Sequence, residues 1–207
     1  MWEIVGPNLR LLRTLAAAHH APEGLFGFMN DPRVKQSVAD GRNALERTSE
    51  RFDIIEIDAL WPTNAYSGNV YSREFFSHCA RRLKPGGLMS TWAPTPRVYA
   101  SFAEAFPYVI AFEGRSLLVG SNEALPVAFT EWRARLETAE VQRYLGARRS
   151  DEVRRVLRTG THVVPSGKAD ACVNTDLYPR DEFQAPDPGC SALTRPDPVR
   201  WRDLRRP

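Results

Sequence analysis

The stretch from Phe52 to Trp92, FDIIEIDALWPTNAYSGNVYSREFFSHCARRLKPGGLMSTW, decides the fold. It opens with Phe52-Asp53-Ile54-Ile55-Glu56-Ile57, an apolar run of strand length that reads as buried and ends against a carboxylate, Asp58. Open α/β sheets bind ligands beyond the carboxyl ends of their strands, so an acid there is a candidate for chemistry. Residues 59–69 are rich in turn formers (Pro62, Asn64, Ser67, Gly68, Asn69) and carry Trp61 and Tyr66. From Tyr71 to Leu83 the positions Phe75, Phe76, Cys79, Ala80 and Leu83 recur at helical spacing. Arg81, Arg82 and Lys84 follow in the last turn, where cations suit the helix dipole. Lys84-Pro85-Gly86-Gly87 predicts the helix end, and Leu88 to Trp92 the next strand. Strand, loop, helix and strand make a βαβ unit, which requires a parallel sheet.

In their order, Asp58-Ala59, Pro62, Tyr71-Ser72-Arg73-Glu74-Phe75-Phe76 and Leu83-Lys84-Pro85-Gly86-Gly87 resemble the spermidine synthase family of polyamine aminopropyltransferases. The nearest likeness is to bacterial spermidine-synthase-like domains often joined to membrane segments. The resemblance implies the Rossmann-like α/β fold of class I S-adenosylmethionine-dependent methyltransferases, a mainly parallel sheet with an antiparallel edge hairpin. It also implies aminopropyl transfer to a small-molecule amine in polyamine biosynthesis. The cofactor would be decarboxylated S-adenosylmethionine or S-adenosylmethionine itself, with no metal, and the family's habit of pairing implies a homodimer.

Asp58 is the expected catalytic residue. Displacement at a carbon beside a sulfonium needs a deprotonated amine, and a strand-end carboxylate can orient the ammonium and take its proton. A plain loop or capping acid is the structural alternative. The family pattern Asp-x-x-Asp-Pro is broken here, because Trp61 stands in Asp58-Ala59-Leu60-Trp61-Pro62 where the second acid belongs. A diamine needs negative charge at both ends; an aromatic can hold a cation on its ring face or cover a less charged substrate. Tyr66 and Tyr71 flank the loop as candidate substrate-binding residues, with core cover as the alternative.

Met1 to Val5 reads as a strand and Pro7 to Ala18 as a helix with Leu9, Leu12, Leu15 and Ala16 on one face. The resemblance makes Glu3 the acid that accepts both ribose hydroxyls of the cofactor; a solvated Glu is the alternative. It then places the fold's first strand and glycine-rich turn ahead of residue 1, and none of the 13 glycines offers a GxGxG substitute. His19, His20, Pro22 and Gly24 mark a loop without patterned metal ligands. Val34 to Val38 is the next expected strand. Ala39-Asp40-Gly41-Arg42 resembles the family's GDGR segment, in which Asp40 accepts the adenine amino group and the Gly41 amide meets the ring. The structural alternative is Asp40 as a helix N-cap, and both uses can coexist.

Pro96 to Ala105 is an expected helix, and Pro107–Phe112 and Arg115–Gly120 the strands of a hairpin turning at Glu113-Gly114. Phe129–Leu136, Glu140–Leu145 and Asp151–Leu157 are amphipathic, with Arg148, Arg149, Arg154, Arg155 and Arg158 suited to phosphates or to a solvated face. Residues 173–183, VNTDLYPRDEF, resemble the family's closing segment. A domain over 1–184 and a loosely ordered, proline-rich tail over 185–207 complete the chain.

The 207 residues, 43% hydrophobic, suffice for one core, and 28 basic against 25 acidic residues call for no nucleic-acid partner. No apolar run spans a membrane. Cys79, Cys172 and Cys190 read as reduced thiols in a cytoplasmic protein. Three functions stay open: an aminopropyltransferase, a small-molecule methyltransferase favoured by the missing second acid, and a non-catalytic scaffold or partner-binding domain favoured by the missing glycine-rich turn.

Overall fold

The computed structural model describes residues 2–3, 6–18, 23–57, 61–112, 117–125, 129–159, 161–163, 172–186 and 190. Chain contacts divide it into two compact units, Met1–Glu50 and Arg51–Pro207.

In the first unit, β1 (Trp2–Glu3) pairs in parallel with β2 (Ser37–Val38), setting Glu3 opposite Val38. Between them run α1 (Gly6–Ala16), with Pro7 in its first turn, and α2 (Glu23–Asn30). Leu9 and Ala16 of α1 are buried; Leu12 is half-buried, and Leu15, expected on the same face, is exposed. The sequence reads as loop where α2 begins, because Pro22 and Gly24 punctuate it and Leu25, Phe26, Phe28 and Met29 form no stripe. β2 is shorter than the expected Val34–Val38. Asp31-Pro32-Arg33-Val34 forms a turn instead, closed by Val34 N–H donating to the Asp31 carbonyl at 2.9 Å. Arg33 donates from its side chain and backbone to the Asp31 carboxylate, holding that carboxyl down at about 2. α3 (Gly41–Arg47) starts where expected, with the Asn43 amide donating to Asp40 Oδ1 at 2.9 Å.

The second unit holds a five-stranded sheet. In spatial order it runs β3 (Phe52–Ile57), β4 (Leu83–Trp92), β6 (Leu117–Ser121), β5 (Tyr108–Phe112) and β7 (Thr161–Val163). β3 and β4 are parallel; β4–β6, β6–β5 and β5–β7 are antiparallel. Hence β3, β4 and β5 run one way and β6 and β7 the other. The hairpin strands form as expected, but β6 inserts between β4 and β5, and β7, too short to read at three residues, takes the outer edge. Among the described residues β3 is the opposite edge of this sheet, and Ile54 is 65% exposed, where the sequence suggests a buried strand. β4 also begins earlier than Leu88: Phe52 faces Leu83 and Ile54 faces Leu88, so Lys84 to Gly87 bulge opposite Asp53. Lys84 Nζ reaches Asp53 across that bulge at 2.7 Å and lowers its carboxyl from the ordinary value.

α4 (Arg73–Arg82) and α5 (Pro96–Ala105) build the core with the sheet. Phe76 meets Phe102 edge to face at 5.2 Å, and Phe102 meets Phe106 at 4.7 Å. These rings and Met89, Val109 and Leu118 are fully buried, each such side chain contributing roughly 1.5–3 kcal/mol. α6 (Phe129–Leu136) is followed by α7 (Ala139–Thr159), whose two arms match the two expected runs. They meet at Gly146, where φ is +70°, a backbone region that a Cβ would oppose. The α7 arginines lie on a solvated face: Arg148 pairs with Glu152, and Arg154 with Glu137 and Asp151.

The cysteine reading is corrected. Cys172 and Cys190 form a disulfide, with an S–S distance of 2.21 Å, and Cys79 is a buried free thiol. Spacing gave no hint because the fold between them, a turn at 174–181, brings their Cα atoms to 5.3 Å. Ala185 and Pro186, on the tail side of the expected boundary, accept hydrogen bonds from Arg97. Residues 187–189 and 191–207 of that tail lie outside the described residues. No helix among the described residues is long and apolar enough to cross a membrane.

Candidate functional site

Two groups of expected site residues can be followed, one in each unit. In the first unit, Glu3 is the last residue of β1, and Asp40 comes two residues after the last residue of β2. The two acids therefore stand at the carboxyl ends of adjacent parallel strands, the edge where α/β sheets receive ligands. Asp40 is half-buried; its Oδ1 caps α3, and Oδ2 has no hydrogen bond among the described residues. Gly41 opens α3, where the first backbone amides lack intrahelical acceptors. The N-cap reading of Asp40 therefore holds.

In the second unit, Asp58 lies outside the described residues, as do Ala59 and Leu60. The loop resumes at Trp61. Its own polar groups fold it: the Asn64 amide donates to the Trp61 carbonyl at 2.9 Å, and Ser67 Oγ donates to the carbonyls of Pro62 and Asn64 at 2.8 and 2.6 Å. A 3-10 turn over Ser67–Val70 then leads to Ser72, which caps α4 by accepting from the Phe75 amide. Trp61 is 57% exposed and Tyr66 83%, while Tyr71 is fully buried. Trp61 and Tyr66 can meet a ligand as they stand; Tyr71 serves the core.

Sequence reasoning missed two features of this loop. The first is Trp92, the last residue of β4, whose ring meets that of Trp61 edge to face with centroids 4.7 Å apart. Two aromatics thus flank the end of β4, where the family pattern would put an acid. The second is the closing segment, which carries the resemblance but was assigned no role. Glu182 accepts the Tyr66 amide on Oε1 at 2.8 Å and the Gly68 amide on Oε2 at 3.1 Å. A Cβ on Gly68 would stand 2.3 Å from Pro179 Cβ, so only glycine lets the segment lie so close. Ser72 donates to Asp176, and the Asp176 amide donates to Glu74 Oε2 at 3.0 Å.

Behind this contact is a buried polar cluster. Asp181 accepts from Thr95 Oγ1 at 2.6 Å, Asn174 Nδ2 at 2.9 Å and Arg97 Nη1 at 3.3 Å, and its amide donates to Asn174 Oδ1 at 3.0 Å. These partners satisfy the hydrogen-bonding capacity of a carboxyl group taken out of water. The signal that could have found it was the spacing of Asn174, Asp181 and Glu182, polar residues dense enough to demand internal partners.

Residues 10–104 match the family model of the spermine/spermidine synthase domain, a span that includes Asp40, Gly41, Asp58, Trp61, Tyr66 and Tyr71 and excludes Glu3. The polyamine aminopropyltransferase of Korarchaeum cryptofilum is 29% identical over 123 residues, 52% of this chain and 38% of that protein. That of Nitrosomonas europaea is 30% identical over 110 residues, 49% of this chain and 34% of its own length. A crystal structure of a spermidine synthase in complex with the transition-state analogue AdoDATO superposes with a TM-score of 0.51. Its identity is 22%, over 61% of this chain and 47% of that one. Sheet order and superposition give the chain an α/β fold of the class I methyltransferase-like kind. Over this part the chain is similar to polyamine aminopropyltransferases, and the aligned part spans little more than a third of each curated relative, 38% and 34%.

Proposed function

We propose that the chain takes part in aminopropyl transfer from decarboxylated adenosylmethionine to a small-molecule amine. The observation that carries this reading is the pair of acids, Glu3 and Asp40, at the carboxyl ends of two adjacent parallel strands, within a chain whose residues 10–104 match the synthase domain. The Oδ2 of the half-buried Asp40, which has no hydrogen bond among the described residues, suits an exocyclic amine, because a carboxylate offers acceptors only. Gly41 supplies an amide beside it, and Glu3 takes the ribose hydroxyls. The donor contributes a carbon activated by its sulfonium. Asp58 receives the acceptor's proton, and the freed nitrogen forms the new C–N bond as the C–S bond breaks with its electron pair going to sulfur. Trp61 and Tyr66 meet the acceptor, and Tyr71 backs the loop from within. No metal has a part in this scheme. By the same resemblance the protein works as a homodimer in the cytoplasm.

Release of methylthioadenosine from decarboxylated adenosylmethionine in the presence of amines tests the reading, and Asp58→Asn is expected to slow it about a hundredfold or more. Asp40→Asn separates the two uses of that residue. Asn caps helices as well as Asp does, so the melting point should hold while methylthioadenosine binds about tenfold more weakly by calorimetry. Methyl transfer from ordinary adenosylmethionine instead would support a methyltransferase, and no heat with methylthioadenosine at millimolar concentration a non-catalytic domain.

A further inference from the structure

We infer that the Cys172–Cys190 bond is a redox latch on the Trp61–Val70 loop. Closed, it holds the closing segment against that loop; reduced by a dithiol, it lets the segment, and with it the loop, come free. The segment acts as a strap whose polar groups reach outside it. At its near end the Asn174 amide donates to Ser101 Oγ at 2.8 Å, and the Asn174 carbonyl accepts the Arg73 amide at 2.8 Å. Further on, Glu182 holds the amides of Tyr66 and Gly68, and Pro179 lies against Gly68 where no Cβ would fit. The loop leans on these contacts, since Tyr66 keeps a φ of +66° that a side chain opposes. Past Glu182 the strap is fastened by Arg97, which donates to the carbonyls of Ala185 and Pro186, and by the disulfide. Of these fastenings the disulfide is the one that redox chemistry undoes.

Both cysteines of the bond are buried, so an attacking thiolate reaches it as the strap opens. The dithiol supplies two electrons and two protons. Its first sulfur displaces one cysteine as a thiol, and its second then displaces the other, leaving Cys172 and Cys190 as thiols and the reagent as its own disulfide. While closed, the bond confines a span of 18 residues; once open, the chain past Glu182 regains its freedom to move. Strap opening and reduction therefore favour each other. By reciprocity, whatever loosens the hold of Glu182 makes the bond easier to reduce. A cross-link that serves stability alone shows no such coupling, because the Glu182 contacts are then the same in both redox states.

Two measurements on the full chain test the latch, and neither depends on turnover. In the first, amide exchange is compared between the oxidised protein and the same protein reduced with dithiothreitol. The Tyr66 and Gly68 amides should speed up about tenfold or more beyond any change at the β5 amides of Val109 and Ile110. In the second, the protein is equilibrated with graded ratios of reduced to oxidised dithiothreitol, and the thiols released are counted by maleimide mass shift. Glu182→Gln should raise the equilibrium constant for reduction about tenfold, a shift of about 30 mV for a two-electron couple. Gly68→Ala, whose Cβ would stand 2.3 Å from Pro179 Cβ, should move it the same way from the loop side. One common factor for loop and β5 amides overturns the inference, as does a reduced chain that loses its dispersed spectrum. So does a midpoint left unmoved by both variants.

Discussion

At Glu182 one carboxylate accepts two backbone amides, those of Tyr66 and Gly68, and Tyr66 sits at φ +66°, outside the usual range for a residue with a side chain. Hydrogen bonds to a charged acceptor contribute about 1.5–3 kcal/mol each. Glu182→Gln keeps a single carbonyl acceptor and removes the charge. The amides of Tyr66 and Gly68 are then expected to exchange with solvent about tenfold faster or more, while core amides such as those of β5 stay protected; equal rates in the two proteins would assign the loop's order to the hydrogen bonds within it. At this scale legibility followed chemistry that is local in sequence. Asp40 was readable as a cap because the helix it starts follows immediately. Trp92 as the partner of Trp61, and Cys190 as the partner of Cys172, were not, since each pair is joined only by the path of the chain in space.

Among the elements, α5 was readable to its bounds, Pro96 to Ala105. Thr95 caps it by accepting from the Val98 amide, Pro96 fits the first turn, and Val98 and Phe102 repeat at helical spacing. α2 was not, because hydrophobic residues without a stripe look alike in loops and short helices. The junction of α6 and α7 is set by Arg154, which donates to both carboxylate oxygens of Glu137 at 2.8 and 2.9 Å. Those hydrogen bonds hold the Glu137 carboxyl below its ordinary value of 4.5. A folded value lower than the unfolded one means that the pair adds stability above pH 4.5, which is lost as the pH falls through the depressed folded value. In Arg154→Ala the Glu137 midpoint, followed by its carboxyl carbon shift, should climb back towards 4.5; a midpoint that does not move would show that Arg154 leaves the carboxylate unaffected.

For the molecule, the βαβ unit was legible because strand, helix and strand each announce themselves over 52–92, and the insertion of β6 was not, because strand order is decided by packing. The Cys172–Cys190 bond closes a span of 18 residues around the closing segment. Cross-links of that length stabilise by about 3 kcal/mol, so replacing both cysteines by serine should lower the melting point by roughly 6–12 °C. Maleimide labelling of protein taken directly from cells tells whether the bond forms where the chain works: in the proposed reducing cytoplasm both thiols should label, and protection of the pair would argue for an oxidising compartment. The long reach of Glu182 also matters while the protein is being made. The amide it holds at Gly68 leaves the ribosome 114 residues ahead of it. At about 5–20 residues per second the wait is roughly 6 to 23 s. During that interval the Trp61–Gly68 loop exists without its clasp, held only by the hydrogen bonds it makes within itself.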